Sequence, residues 1–152
     1  MLKINRNLSV TLSLIISFVV GGGLLVLTVM MPYVLKAYIK TTERMYLLNS
    51  YGVILTLFYG AIVFAITAIA ALILLLLYVR GGNVFSANSV SCLRVISWAC
   101  MSECVVFAAL SFYFILALLI SAAALFMCLL LRVVKNVIEE ATAIKNENDM
   151  TI

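Results

Sequence analysis

The chain contains no histidine and a single proline, and only 11% of its 152 residues carry charge. Without histidine there is no imidazole to serve as a base near neutral pH or as a nitrogen ligand of a transition metal. Serine–histidine and cysteine–histidine nucleophile pairs are therefore excluded, as are histidine-bound metal centres. The four cysteines, Cys92, Cys100, Cys104 and Cys128, form no Cys-x-x-Cys pair, and no glycine-rich phosphate loop or nucleotide fingerprint interrupts the chain. No nucleophile, base and oxyanion donor can be assembled from the remainder. The expectation is a non-enzymatic protein without a cofactor.

What is present is apolar. Hydrophobic residues make up 66% of the chain and the mean hydropathy is +1.27, whereas about a quarter of the residues of a soluble domain are charged. This is a membrane composition, in one domain, with no Pro-, Ser- or Gly-rich linker to divide it. The net charge of +4 does not imply direct nucleic-acid binding, because the ten Lys and Arg are spread along the flanks of apolar segments instead of clustering.

Crossing a hydrocarbon core of about 30 Å takes roughly 20 helical residues. Four spans of that order fit, at about 8–31, 51–79, 88–110 and 113–135, followed by a tail over 136–152. The turn between the third and fourth is placed near Leu110–Tyr113 on the strength of Ser111 and the aromatic cluster Phe112, Tyr113, Phe114 alone. Long runs without dyad alternation exclude a membrane barrel. The fold class is therefore all-α: an integral membrane, antiparallel four-transmembrane-helix bundle. With four spans, the amino terminus, the Arg80–Arg94 connection and the tail share one side, holding Lys3, Arg6, Arg80, Arg94, Arg132, Lys135 and Lys145. The other side holds Lys36, Lys40 and Arg44. Lys and Arg accumulate in the cytoplasm, so both termini are expected inside. The first apolar run is too long for a secretory signal and lacks a small-residue cleavage site, so it reads as a retained helix.

Several patterns carry candidate function. Ser9, Ser13, Ser17 and Gly21 recur every four residues on one helix face. Small residues at this spacing let membrane helices approach closely, within the bundle or as the seam of a homo-oligomer, and their hydroxyls can bond across the contact. Pro32 is expected to end or bend the first helix. Lys36, Lys40 and Arg44 then suggest a short surface helix with a basic stripe. In the central connection, Gly81-Gly82-Asn83 supplies turn residues and Ser86 is placed to cap the third helix.

Glu103 is the one ionisable side chain deep within the spans, nine residues beyond Arg94 and half a turn away from it. Intramembrane carboxyls are functional candidates by default, for proton or cation handling. The alternative is a neutral group hydrogen-bonded to a neighbouring helix. Cys100 and Cys104 share its face at helical spacing, which leaves a weak redox or soft-metal reading beside that of buried thiols. Past Arg132 and Lys135, the pattern Val134, Val137, Ile138, Ala141, Ile144 describes an amphipathic helix leaving the bilayer.

Two stretches point to a family. Gly82-Asn-Val-Phe-Ser-Ala-Asn-Ser-Val-Ser-Cys-Leu-Arg-Val-Ile96 and the ending Ala143-Ile-Lys-Asn-Glu-Asn-Asp-Met-Thr-Ile152 resemble the bacterial family known as domain of unknown function 2975. Its members are small four-helix membrane proteins with a Phe-Ser-containing central loop and an ending close to Glu-Asn-Asp-Leu-Thr-Ile. The resemblance extends to the proline after the first span, and departs in the near absence of a loop between the third and fourth helices. It implies location in the bacterial inner membrane and no catalytic residues. Genes of the family often lie beside one for a small helix-turn-helix regulator. The resemblance implies architecture more than activity; the leading expectation built on it is sensing or regulation, with that cytosolic regulator docked on Asn83, Phe85, Ser86, Arg94, Glu147, Asn148, Asp149 and Thr151. The competing expectation is a small transporter, or an immunity-type protein against a membrane-active compound, with Glu103 at its centre.

Overall fold

In the computed structural model, which describes residues 6–42, 47, 49–82 and 86–149, every regular element is a helix. They are α1 (Arg6–Thr42), α2 (Tyr51–Arg80), α3 (Ala87–Leu110) and α4 (Leu116–Asp149). All four are long and apolar enough to cross a membrane. Helices dominate because a bilayer offers no partner to a bare N–H or C=O, and a helix satisfies both internally. Leu, Val and Phe fill the outward faces: Phe18, Val29, Val63, Leu119 and Phe126 are all exposed, as lipid-facing side chains must be.

Of the two outcomes expected at Pro32, an end or a bend, the first does not occur: the helix runs through it to Thr42. Stopping a helix strips four carbonyls of their partners, whereas an internal proline strips only one, here that of Thr28. In hydrocarbon the second cost is the smaller. The continued segment also has something to bury. Leu35 and Ile39 join Leu47, Ile54, Leu110 and Ala117 in the main apolar cluster. The expected separate surface helix is thus the last turns of α1 as far as Thr42. Lys36 and Lys40 are exposed on it, Lys36 with its Nζ 6.0 Å from the centroid of the Tyr51 ring, and Arg44 lies outside the described residues.

Between α3 and α4 the chain turns over Ser111–Ile115 without glycine or proline. The Ser111 N–H donates to Phe107 O, and those of Tyr113 and Phe114 both donate to Leu110 O. Ser111 Oγ donates to Ala108 O at 2.7 Å. Leu110 is fully buried, and Phe114 packs edge-on to Tyr38 of α1, with centroids 5.5 Å apart. Apolar anchoring fixes this turn where turn-forming residues are lacking. α4 consequently begins at Leu116 and continues without a break to Asp149, so the span and the amphipathic tail are one helix.

At the other end, α2 closes on Gly81, whose N–H bonds Leu77 O, and Gly82 takes φ +81°. Ser86 is the N-cap of α3, extended at φ −137° and ψ 153°, and accepts from the Ser89 N–H at 3.3 Å. Asn83 and Phe85 lie outside the described residues.

Among the described residues, only helices adjacent in the chain bring Cα atoms within 8 Å of each other. α1 and α4 therefore meet through side chains: Leu35 and Ile39 of α1 share one buried cluster with Ala117 of α4 beside the Ser111–Ile115 turn. Further along, the two helices line a common groove.

Candidate functional site

All four helices contribute to an apolar groove of about 560 Å³. Leu24 and Leu27 of α1 and Ala123 and Met127 of α4 form its sides, and Ala61 and Ala65 of α2 with Cys100 and Glu103 of α3 line it further. The small alanines of α2 leave the volume that larger side chains would fill. Glu103 is the groove's only ionisable carboxyl. Its Oε2 is buried and has no hydrogen-bond partner. The expected bond from a neighbouring hydroxyl is absent at that oxygen; two serines of this region bond backbone carbonyls instead.

Those serines join α3 to α4. Ser121 Oγ donates to Cys104 O at 2.9 Å and lies 3.4 Å from Cys104 Sγ. Ser97 Oγ donates to Cys128 O at 3.4 Å and lies 3.5 Å from Cys128 Sγ. The two pairs are mirror images across an antiparallel contact, seven residues apart on each helix. Cys104 is thus turned toward α4 while Cys100 and Glu103 face the groove, which separates the trio that sequence spacing had grouped. All four cysteines are free thiols. Among the described residues, no three His, Cys, Asp or Glu side chains could hold a metal ion.

The serine stripe of α1 divides in the same way. Ser17 is buried, and Gly21 faces α2, where a methyl group on it would sit 3.6 Å from Ile69 Cγ2. Ser13 is half-buried and Ser9 exposed. The Ser17 hydroxyl donates back to Ser13 O at 2.8 Å, within its own helix and not across the contact.

The loop end of the α3–α4 pair is polar. Arg94 Nη2 lies 3.8 Å from Glu139 Oε1, and Lys135 Nζ lies 2.5 Å from Glu139 Oε2. The Arg132 guanidinium sits over the Trp98 ring, 5.5 Å from its centroid. Of the docking candidates, Ser86 caps α3 and Arg94 bridges to α4. Glu147 is exposed on the last turns of α4, the backbones of Asn148 and Asp149 complete that helix, and Thr151 lies outside the described residues. Sequence reading missed the convergence of Arg94, Trp98, Arg132 and Lys135. Its signal was available in the spacing: basic residues at the same distance from the turn on two antiparallel helices.

Neither curated proteins nor solved structures give a match to the chain. A family model does, over residues 32–152, which takes in the last turns of α1 from Pro32 and everything after it. On that match the chain belongs to DUF2975, a family described as proteins of unknown function.

Proposed function

We propose that the chain is a non-enzymatic, multi-pass protein of the bacterial inner membrane with both termini in the cytoplasm. It docks a small helix-turn-helix regulator on its central connection and α4 tail, and couples a membrane or envelope condition to that regulator. The observation that carries this reading is the length and surface of α4. A helix starting at Leu116 covers a 30 Å hydrocarbon core in about 20 residues, yet α4 has 34. Its last turns therefore stand beyond the bilayer. There Val137 and Ile144, seven residues apart on one face, are 60% and 54% exposed, and Glu140 and Glu147 are exposed along the same face. An apolar stripe edged by acids, outside lipid, suits the amphipathic basic helix of a DNA-binding partner. The side assignment rests on the excess of Lys and Arg at this end.

The test is a crosslinked pull-down in mild detergent from the native host, comparing the full chain with one ending at Glu140. Recovery of a small DNA-binding regulator with the full chain alone is the expected result. Recovery of no cytosolic partner from either chain would sink the docking reading.

A second reading has its own support. A buried carboxyl oxygen without a partner, set in an apolar groove lined by all four helices, suits a transporter or a protective protein that accepts an apolar molecule carrying a hydrogen-bond donor or positive charge. Glu103→Gln should then abolish transport or protection, and it should leave regulator binding intact.

A further inference from the structure

The basic convergence at the loop end encloses a second cavity, of about 340 Å³, lined by Arg94, Ser97, Trp98, Arg132, Lys135 and Asn136. We propose that this cleft binds the phosphodiester head group of an anionic phospholipid, with the phosphate held by Arg94, Arg132 and Lys135 and the acyl chains laid along Trp98.

Charge is the first argument. Three cations converge on the cleft against one carboxylate; Glu139 is tied to Lys135 and is not among the lining residues, so Arg94 and Arg132 carry the excess positive charge. Glu139 faces the neighbouring cavity beside Thr142 and Ala143. The Arg94–Glu139 contact, at 3.8 Å, is long for a charge-assisted hydrogen bond, and so leaves that guanidinium available to an incoming anion. Arg132 has the Trp98 ring beneath it, which orients its fork of donors without neutralising it.

Depth is the second argument. Counted from the turn at 1.5 Å per residue, Arg94 and Arg132 both lie about 24 Å along their helices, and Lys135 about 28 Å. Lys135 is thus at the edge of a hydrocarbon core of about 30 Å, and Arg94 and Arg132 lie about one helical turn inside it, from where their long side chains reach out to the phosphate level. Trp98 is about 18 Å along, below the cations, at a depth where an indole contacts chains while its cationic neighbour reaches the head group. Trp98 is 60% exposed, and Val95 beside it is also exposed. A free phosphate has no use for that apolar wall, but a lipid does. Basic pockets between transmembrane helices are a known mode of head-group capture.

The test uses the full chain, delipidated in a non-ionic detergent, with native mass spectrometry and thermal unfolding as readouts. Dioleoyl phosphatidylglycerol should be retained at least about tenfold more tightly than dioleoyl phosphatidylcholine and should raise the unfolding temperature. Arg132→Gln combined with Lys135→Gln should lower phosphatidylglycerol retention on the order of fivefold for each charge removed, with phosphatidylcholine unchanged. Lys36→Gln with Lys40→Gln removes the same charge from the other end and should change nothing. Equal retention of the two lipids by the wild-type chain would overturn the proposal, even if the cleft variant does not fold. So would an equal loss in the Lys36 and Lys40 variant. Stabilisation by inorganic phosphate matching that by phosphatidylglycerol would mark a site for soluble anions and would overturn the lipid assignment.

Discussion

Ser121 Oγ donates to the backbone carbonyl oxygen of Cys104 across the α3–α4 contact at 2.9 Å, and seven residues further from the turn Ser97 makes the corresponding bond to Cys128 in the opposite direction. Each bond is an additional one, since these carbonyls sit mid-helix. Interhelical bonds of this kind are worth about 0.6 kcal/mol on average in membranes, and at most about 1.7. Ser121→Ala should destabilise the protein by that amount, and Ser97→Ala by less, because its bond is longer. Reversible unfolding in a mixed-micelle titration with SDS measures both. A loss above about 2 kcal/mol for Ser121→Ala would mean that the hydroxyl does more than join two helices.

Gly82 and Gly81 are adjacent but not equivalent. At φ +81° Gly82 occupies backbone space that an L side chain enters at a cost of about 1 to 2 kcal/mol, with nothing nearby for a methyl group to strike. Gly81 has φ −74° and would place a methyl at ordinary contact distance, 3.6 Å, from two carbonyls. Gly82→Ala should therefore lower stability by about 1 kcal/mol or more while Gly81→Ala stays close to wild type. The same unfolding titration separates them, and Gly82→Asn should fall between.

The hydropathy of the chain made four crossings legible, because lipid allows few other uses for such runs. Ser86 was legible as a cap, since a cap is a local bond between residues three apart. The end of the first span near Met31 was not legible, because the penalty at Pro32 is local, whereas the reward for continuing α1 comes from Leu35 and Ile39 in the apolar cluster. The Ser121–Cys104 bond, the split of Cys100 from Cys104 and the Arg94–Glu139 contact depend on the register between helices. Four apolar faces of similar composition do not specify that register on their own.

The proposed sidedness rests on the distribution of Lys and Arg and is open to a direct test. With every native cysteine replaced by serine, Glu147→Cys should be protected from a membrane-impermeant maleimide in intact cells and labelled after permeabilisation. Lys40→Cys, exposed at the opposite end of the bundle, should be labelled in both. The reverse pattern would place the α4 tail outside the cell and remove the ground for a cytosolic partner.

Glu103 sets stability against function. Its Oε2 lies in an apolar groove with no hydrogen-bond partner, and a buried polar atom left in that state costs about 1 to 3 kcal/mol. Glu103→Leu replaces it with a side chain that matches the groove wall, and should raise stability in detergent by about 1 kcal/mol or more. Glu103→Gln keeps the shape and still buries an amide, so it should gain little. If the groove handles a donor-bearing or cationic molecule, both variants should lose transport or protection, and the stabilised leucine variant cannot have lost it through misfolding. If the α4 tail is the working surface, both should keep regulator binding and the cellular phenotype. A leucine variant less stable than wild type would show that the carboxyl is partnered in the membrane, and that the groove is wetter there than its lining suggests.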